Sequence, residues 1–164
     1  MGERLFVAVM GNRNSGKSTT WNTLFSKVVR TGKNERRLEL YPGVCVDVFL
    51  VSGSFEERKE YAEEKLADND ASIVLCSIQY ISQVRTTLDY AFEAGFSVHI
   101  QWLNPGYGDG GVYYDNLGLE PQILARGGTV SIRSGAVPAK QRVQELREVV
   151  HGWAYSRGLL IDCE

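Results

Sequence analysis

The stretch Leu5-Phe6-Val7-Ala8-Val9-Met10-Gly11-Asn12-Arg13-Asn14-Ser15-Gly16-Lys17-Ser18 decides how the rest of the chain is read. Its first six residues form an apolar run closed by Gly and Asn. That length and composition suit a strand buried on both faces, as in a parallel sheet. From Ser18 to about Val29, Trp21, Leu24, Phe25 and Val28 recur at helical spacing. Between the two stands a full match to GxxxxGK[ST], Gly11 to Ser18. Chance alone produces such a match in a chain this size on the order of once in a few hundred sequences. The flanking strand and helix reduce that further, because the pattern needs both.

The spacing has a chemical reason. In such a loop successive backbone N–H groups converge on a phosphate, and glycines at positions 11 and 16 allow close approach without a Cβ. Lys17 supplies a point charge to the β- and γ-phosphates, and the Ser18 hydroxyl can ligate Mg²⁺. The helix that begins near Lys17 adds its positive N-terminal end. Gly11, Asn12, Arg13, Asn14, Ser15, Gly16, Lys17, Ser18 and Thr19 are therefore the candidate nucleotide-binding residues. Thr19 is the next hydroxyl, placed for the α-phosphate. Arg13 lies inside the loop, either reaching the γ-phosphate as an arginine finger in cis or pointing outward to solvent.

Outward from this motif, Arg30 to Arg37 is polar and basic and reads as an exposed loop. Leu38–Tyr41 and Val44–Val51 read as two strands around the turn dipeptide Pro42-Gly43, too close for a crossover and therefore antiparallel. A charged segment from Phe55 to Asp68 reads as a solvated helix. Ile73–Ile78 is a second buried strand. Val84, Leu88, Ala91 and Phe92 mark a helix that Gly95 ends. Phe96–Leu103 is a strand, 104–118 a long loop with five glycines and three tyrosines, 119–126 a short helix and Thr129–Ile132 a last strand. Pro138 to about Tyr155 is a last helix, with Val143, Leu146, Val150 and Trp153 on one face. The alternation implies a three-layer α/β sheet and one domain over residues 1–164.

The strand, Walker A loop and helix resemble those of the P-loop NTPase superfamily. The hairpin that follows makes the element order resemble that of Ras-like GTPases. The resemblance implies a three-layer P-loop fold, a mostly parallel sheet with one antiparallel edge strand, and Val44–Val51 beside the P-loop strand. It also aligns Val51-Ser52-Gly53-Ser54 with the DxxG switch, Asn104-Pro105-Gly106-Tyr107 with NKxD, and Ser131-Ile132-Arg133-Ser134 with a base-contacting Ser-Ala motif. No Asp precedes Gly53, and Tyr107 stands where an Asp reads guanine. ATP and GTP are both admitted as ligands.

Further candidates stand with a plainer reading beside each. Asp47, with Ser18, is the candidate Mg²⁺ ligand; otherwise it is a polar position on an exposed hairpin face. Gln79 ends a strand where a metal- or water-positioning group often sits, though an amide cannot be an anionic ligand. Glu56 and Glu57 can polarise water or serve a helix dipole. Arg126 and Arg133 can form a lid. His99 and His151 lack metal-ligand spacing and read as core or surface. Tyr107, Tyr113 and Tyr114 can stack on a base or grip a protein partner at 104–118.

The 18 Lys and Arg against 20 Asp and Glu give a net charge of −2 and a pI near 5.8. That gives no strong nucleic-acid signal and no polybasic anchor. No run reaches the 18 apolar residues of a membrane span, and nothing in the first thirty positions has the apolar core of a signal peptide, so none is expected. Cys45, Cys76 and Cys163 are odd in number and lack CxxC spacing, and two lie in apolar runs. They read as buried thiols in a reducing, cytoplasmic compartment.

The expected function is Mg²⁺-dependent nucleoside triphosphate binding with slow hydrolysis, Lys17 and Arg13 being the catalytic candidates. The alternatives are a small-molecule or nucleotide kinase on the same loop, or a binding module without turnover.

Overall fold

The apolar run becomes β1 (Arg4–Gly11), which pairs in parallel with β4 (Ile73–Gln79) on one side and β5 (Phe96–Leu103) on the other. This is a computed structural model describing residues 4–66 and 69–163. With neighbours on both edges and helices on both faces, β1 is buried from Leu5 to Gly11, which is why its sequence shows no polar alternation. Phe6, Ala8 and Met10 point to one layer, where α3 (Val84–Glu93) and α4 (Leu119–Ala125) contribute Val84, Leu88, Leu119 and Ile123. Leu5, Val7 and Val9 point to the other, against Trp21 and Leu24 of α1 (Lys17–Phe25) and Val143, Leu146 and Val150 of α5 (Lys140–Ser156). Trp21 is fully buried, and its indole N–H donates to Ser77 Oγ at 2.9 Å, so its polar end is satisfied. The three-layer α/β arrangement follows from these two cores.

The hairpin forms as its turn residues require. Strand β2 (Arg36–Tyr41) runs antiparallel to β3 (Val44–Val51), and Gly43 takes φ 81°, a left-handed value that suits glycine. The sheet order is β2-β3-β4-β1-β5-β6, with β6 (Thr129–Arg133) parallel to β5. This corrects one expectation: β3 does not lie beside β1, because β4 stands between them. The reason is burial. Ile73 to Ile78 are all buried, as a central strand demands, whereas β3 carries an exposed Asp47 and suits a position nearer the edge.

Two further expectations are corrected. The helix over Phe55–Asp68 shrinks to α2 (Ala62–Lys65); Asp68 lies outside the described residues. Before it, residues 54–60 form turns closed by Arg58 N to Ser54 O and Glu60 N to Phe55 O, with Phe55 fully buried. The cysteine reading fails for two of three. Cys45 and Cys163 form a disulfide across 118 positions, and Cys76 alone is a buried free thiol. The bridge ties β7 (Ile161–Asp162), antiparallel to the first residues of β3, into the sheet. Among the described residues no helix is long and apolar enough to cross a membrane.

Candidate functional site

The loop between β1 and α1 is a tight wrap around one side chain. Ser15 folds inward and is almost wholly buried, and a Cβ on Gly11 would stand 2.3 Å from its Oγ. Asn14 takes φ 61° and Gly16 φ 106°, turning the chain into the helix. Gly16 stands at the N-cap of α1 and has no side chain with which to cap the helix. The first-turn N–H groups of a helix lack intrahelical acceptors, so this end is left to face an external one.

Lys17 folds back over the loop. Its Nζ donates to Asn12 O at 2.9 Å and Gly11 O at 3.1 Å, and it is 7% exposed. Burial lowers its pKa below the ordinary lysine value, against the opposing pull of Glu57, Glu56 and Asp109. Ser18 and Thr19 are exposed at the start of the helix. Glu57 Oε1 lies 3.9 Å from Lys17 Nζ, and Glu57 Oε2 lies 4.0 Å from Nε of the exposed Arg13.

Two other loops brace the wrap. Tyr107 N donates to Ser15 O and Gly108 N to Asn14 O, each at 2.9 Å. Asp109 accepts from Gly106 N at 2.7 Å and from Asn12 Nδ2 at 3.3 Å. Gly106 and Gly135 must lack side chains here, since Cβ atoms on them would stand 2.4 Å from Ser15 Cβ and 2.2 Å from Ser15 O. The result is a cleft of about 860 Å³ bounded by residues 13–19, Glu57, Tyr107, Gly108, residues 135–139 and Arg142.

Arg142 is the residue that sequence reasoning missed. It is 4% exposed, and it donates to Thr20 Oγ1 at 3.1 Å, Val137 O at 3.1 Å, Ser134 O at 3.2 Å and Gly16 O at 3.4 Å. One guanidinium thus fastens α5, the 134–137 loop and the start of α1 together. Burial lowers its pKa. A basic residue in a helical pattern reads as solvated, so no sequence signal marked it.

The remaining candidates disperse. Through β4, Phe49 is level with Phe6 (both pair Val74), which puts Asp47 level with Arg4. At about 3.3 Å per residue it is roughly 20 Å down the sheet from the loop. There it pairs with Arg37 at 3.4 Å, so Asp47 is not a partner of Ser18 in holding a metal. Arg126 pairs with Asp89 and lies over the Phe92 ring, and Arg133 pairs with Glu145, so neither lids the cleft. His99 bonds Thr129 Oγ1 at 2.7 Å; His151 packs on Tyr41 and Tyr155. Gln79 is level with Gly11, and its backbone N–H is held by Glu56. Tyr107 and Tyr114 are exposed, but Tyr113 is partly buried and packs against the core. Its hydroxyl accepts from Trp102 Nε1 at 2.9 Å, and burial pushes its pKa up to about 12.

For Mg²⁺, no group of three or more His, Cys, Asp or Glu side chains that could hold a metal occurs among the described residues. Mg²⁺ is ordinarily held by one or two protein oxygens together with substrate phosphates and water. Ser18 and Glu57, both bordering the cleft, fit that pattern. No model of a known protein family matches the chain, and neither does any curated protein.

Proposed function

We propose that this chain binds the phosphates of a nucleoside triphosphate in the Gly11–Thr19 loop and hydrolyses the terminal one slowly. One observation carries the reading: Lys17, a buried cation, is held by two loop carbonyls at the mouth of a cleft whose helix end has no side-chain cap. Such a cation and such a helix end together suit an anion with several oxygens.

In this reading the phosphate chain lies along residues 13–18, with Lys17 exchanging its carbonyl contacts for phosphate oxygens. Bound Mg²⁺ would neutralise charge on the terminal phosphates, with Ser18 and Glu57 as its protein ligands. Lys17 and Arg13 stabilise charge on the terminal phosphate as water attacks in line, and the rest of the catalysis is positioning. The Tyr107 face of the cleft presents no carboxylate to guanine, so ATP and GTP are both accepted.

Isothermal titration with ATP and GTP tests this. Wild type binds both with affinities within about tenfold of each other, and Lys17→Ala weakens binding at least about tenfold through lost charge-assisted hydrogen bonds. Equal affinities for wild type and Lys17→Ala would refute the assignment.

A further inference from the structure

We propose that Glu57 is an internal anion that makes the cleft reject free polyphosphate. This rests on the reading of the Gly11–Thr19 loop as a phosphate site. The Glu57 carboxylate spans the same two cations that a terminal phosphate would use, Lys17 at 3.9 Å and Arg13 at 4.0 Å. It stands at the rim of the same cleft. A free polyphosphate entering the loop must share those cations with a fixed negative charge a few ångströms away, which opposes binding.

Glu57 is there by construction. Phe55 is fully buried in the core and anchors the turn. The neighbouring Glu56 accepts from Gln79 N at 2.7 Å and from Thr87 Oγ1 at 2.6 Å, pinning the turn to the end of β4 and to α3. Ser54, 1% exposed, donates its hydroxyl to Glu57 Oε1 and so aims the carboxylate. Three tethers on consecutive residues hold one acid against the loop. A divalent cation carried in on the ligand would offset the repulsion, because its charge would attract both the Glu57 carboxylate and the phosphate. Glu57 therefore determines specificity, selecting a cation-bound polyphosphate over the bare anion.

The test is calorimetric titration of inorganic tripolyphosphate into wild type, Glu57→Gln and Glu57→Asp, first in EDTA and then with excess Mg²⁺. In EDTA, Glu57→Gln binds about tenfold tighter than wild type, and Glu57→Asp, which keeps the charge, stays within about threefold of wild type. With Mg²⁺ the advantage of Glu57→Gln disappears. Glu57→Gln binding no tighter than wild type in EDTA overturns the proposal while leaving the phosphate site standing. Equal tightening in Glu57→Asp also overturns it, since freeing the turn rather than removing charge would then be the cause. Absence of tripolyphosphate binding in all three proteins, with and without Mg²⁺, overturns both this proposal and the phosphate reading.

Discussion

The Nε of Arg142 donates to the hydroxyl of Thr20 at 3.1 Å, joining α5 to α1 across 122 positions. The same guanidinium serves the carbonyls of Gly16, Ser134 and Val137. No carboxylate forms a salt bridge with it among the described residues. Carbonyl dipoles thus compensate a buried charge, and removing the charge leaves several acceptors without a donor.

Arg142→Met should therefore destabilise the protein by about 2–4 kcal/mol, although methionine is apolar and of similar reach. For a chain of this length that lowers Tm by roughly 5–15 °C. Thermal unfolding followed by circular dichroism measures it. A melt superimposable on wild type would show that the guanidinium is not the fastener.

Glu145 gives a pH signature. Burial alone would raise its pKa, but hydrogen bonds from His99 and Ser131 and the Arg133 charge outweigh this and hold it at about 2, against an ordinary 4.5. The folded state binds this proton more weakly than the unfolded chain does. Its contribution is therefore complete above about pH 4.5 and is lost as pH falls towards 2. Because Arg133 is half exposed, solvent reduces the contribution to about 1–2 kcal/mol. Glu145→Gln should be less stable than wild type by that amount at pH 6, with the gap narrowing by pH 3. Urea titrations at both pH values would show it, and a constant gap would contradict it.

The disulfide predicts a dependence on reductant. Joining Cys45 to Cys163 closes most of the chain into one loop and secures β7 beside β3. Disulfides typically contribute about 2–4 kcal/mol, and a loop this long lies toward the upper end of what they reach, about 5 kcal/mol, by restricting the unfolded chain. Dithiothreitol or Cys163→Ser should lower the urea midpoint by an equivalent amount, and the two treatments should not add. Full alkylation of three thiols in the untreated protein would show that the bridge does not form.

The part of the fold nearest the loop was legible, and the physical reasons separate it from what was not. Gly11 to Ser18 announces strand, turn and helix through local chemistry alone, and Pro42-Gly43 announces the hairpin in the same way. Strand order is different in kind. Val44–Val51 and Ile73–Ile78 are both apolar enough to flank β1, and only tertiary packing ranks them, so placing Asp47 near the loop failed with that choice. Arg142 and Glu57 were invisible or ambiguous for a related reason: their partners lie far away along the chain or on another turn. Tyr113 looked free because its loop is rich in glycine, yet Trp102 offered it an indole N–H.

The tight approach of Gly106 to Ser15 gives a direct test of the cleft. Gly106 lies so near Ser15 that a Cβ would stand 2.4 Å from Ser15 Cβ and 2.7 Å from its Cα. Neither is the end of a flexible side chain, so Gly106→Ala must push the 104–109 loop away from the loop it braces. That motion breaks the bonds from Tyr107 N to Ser15 O and Gly108 N to Asn14 O, which set the shape of residues 14–16. Overpacking of this kind costs about 1–3 kcal/mol. On the proposed reading of the loop, phosphate affinity should fall with it, because residues 14–16 lose the two bonds that set their shape. Gly110→Ala is the matched control: its Cβ would meet nothing within 4 Å, and both stability and binding should stay at wild-type values. Denaturation and tripolyphosphate titration of the pair decide the point. Wild-type behaviour in Gly106→Ala would mean that the 104–109 loop does not shape the cleft.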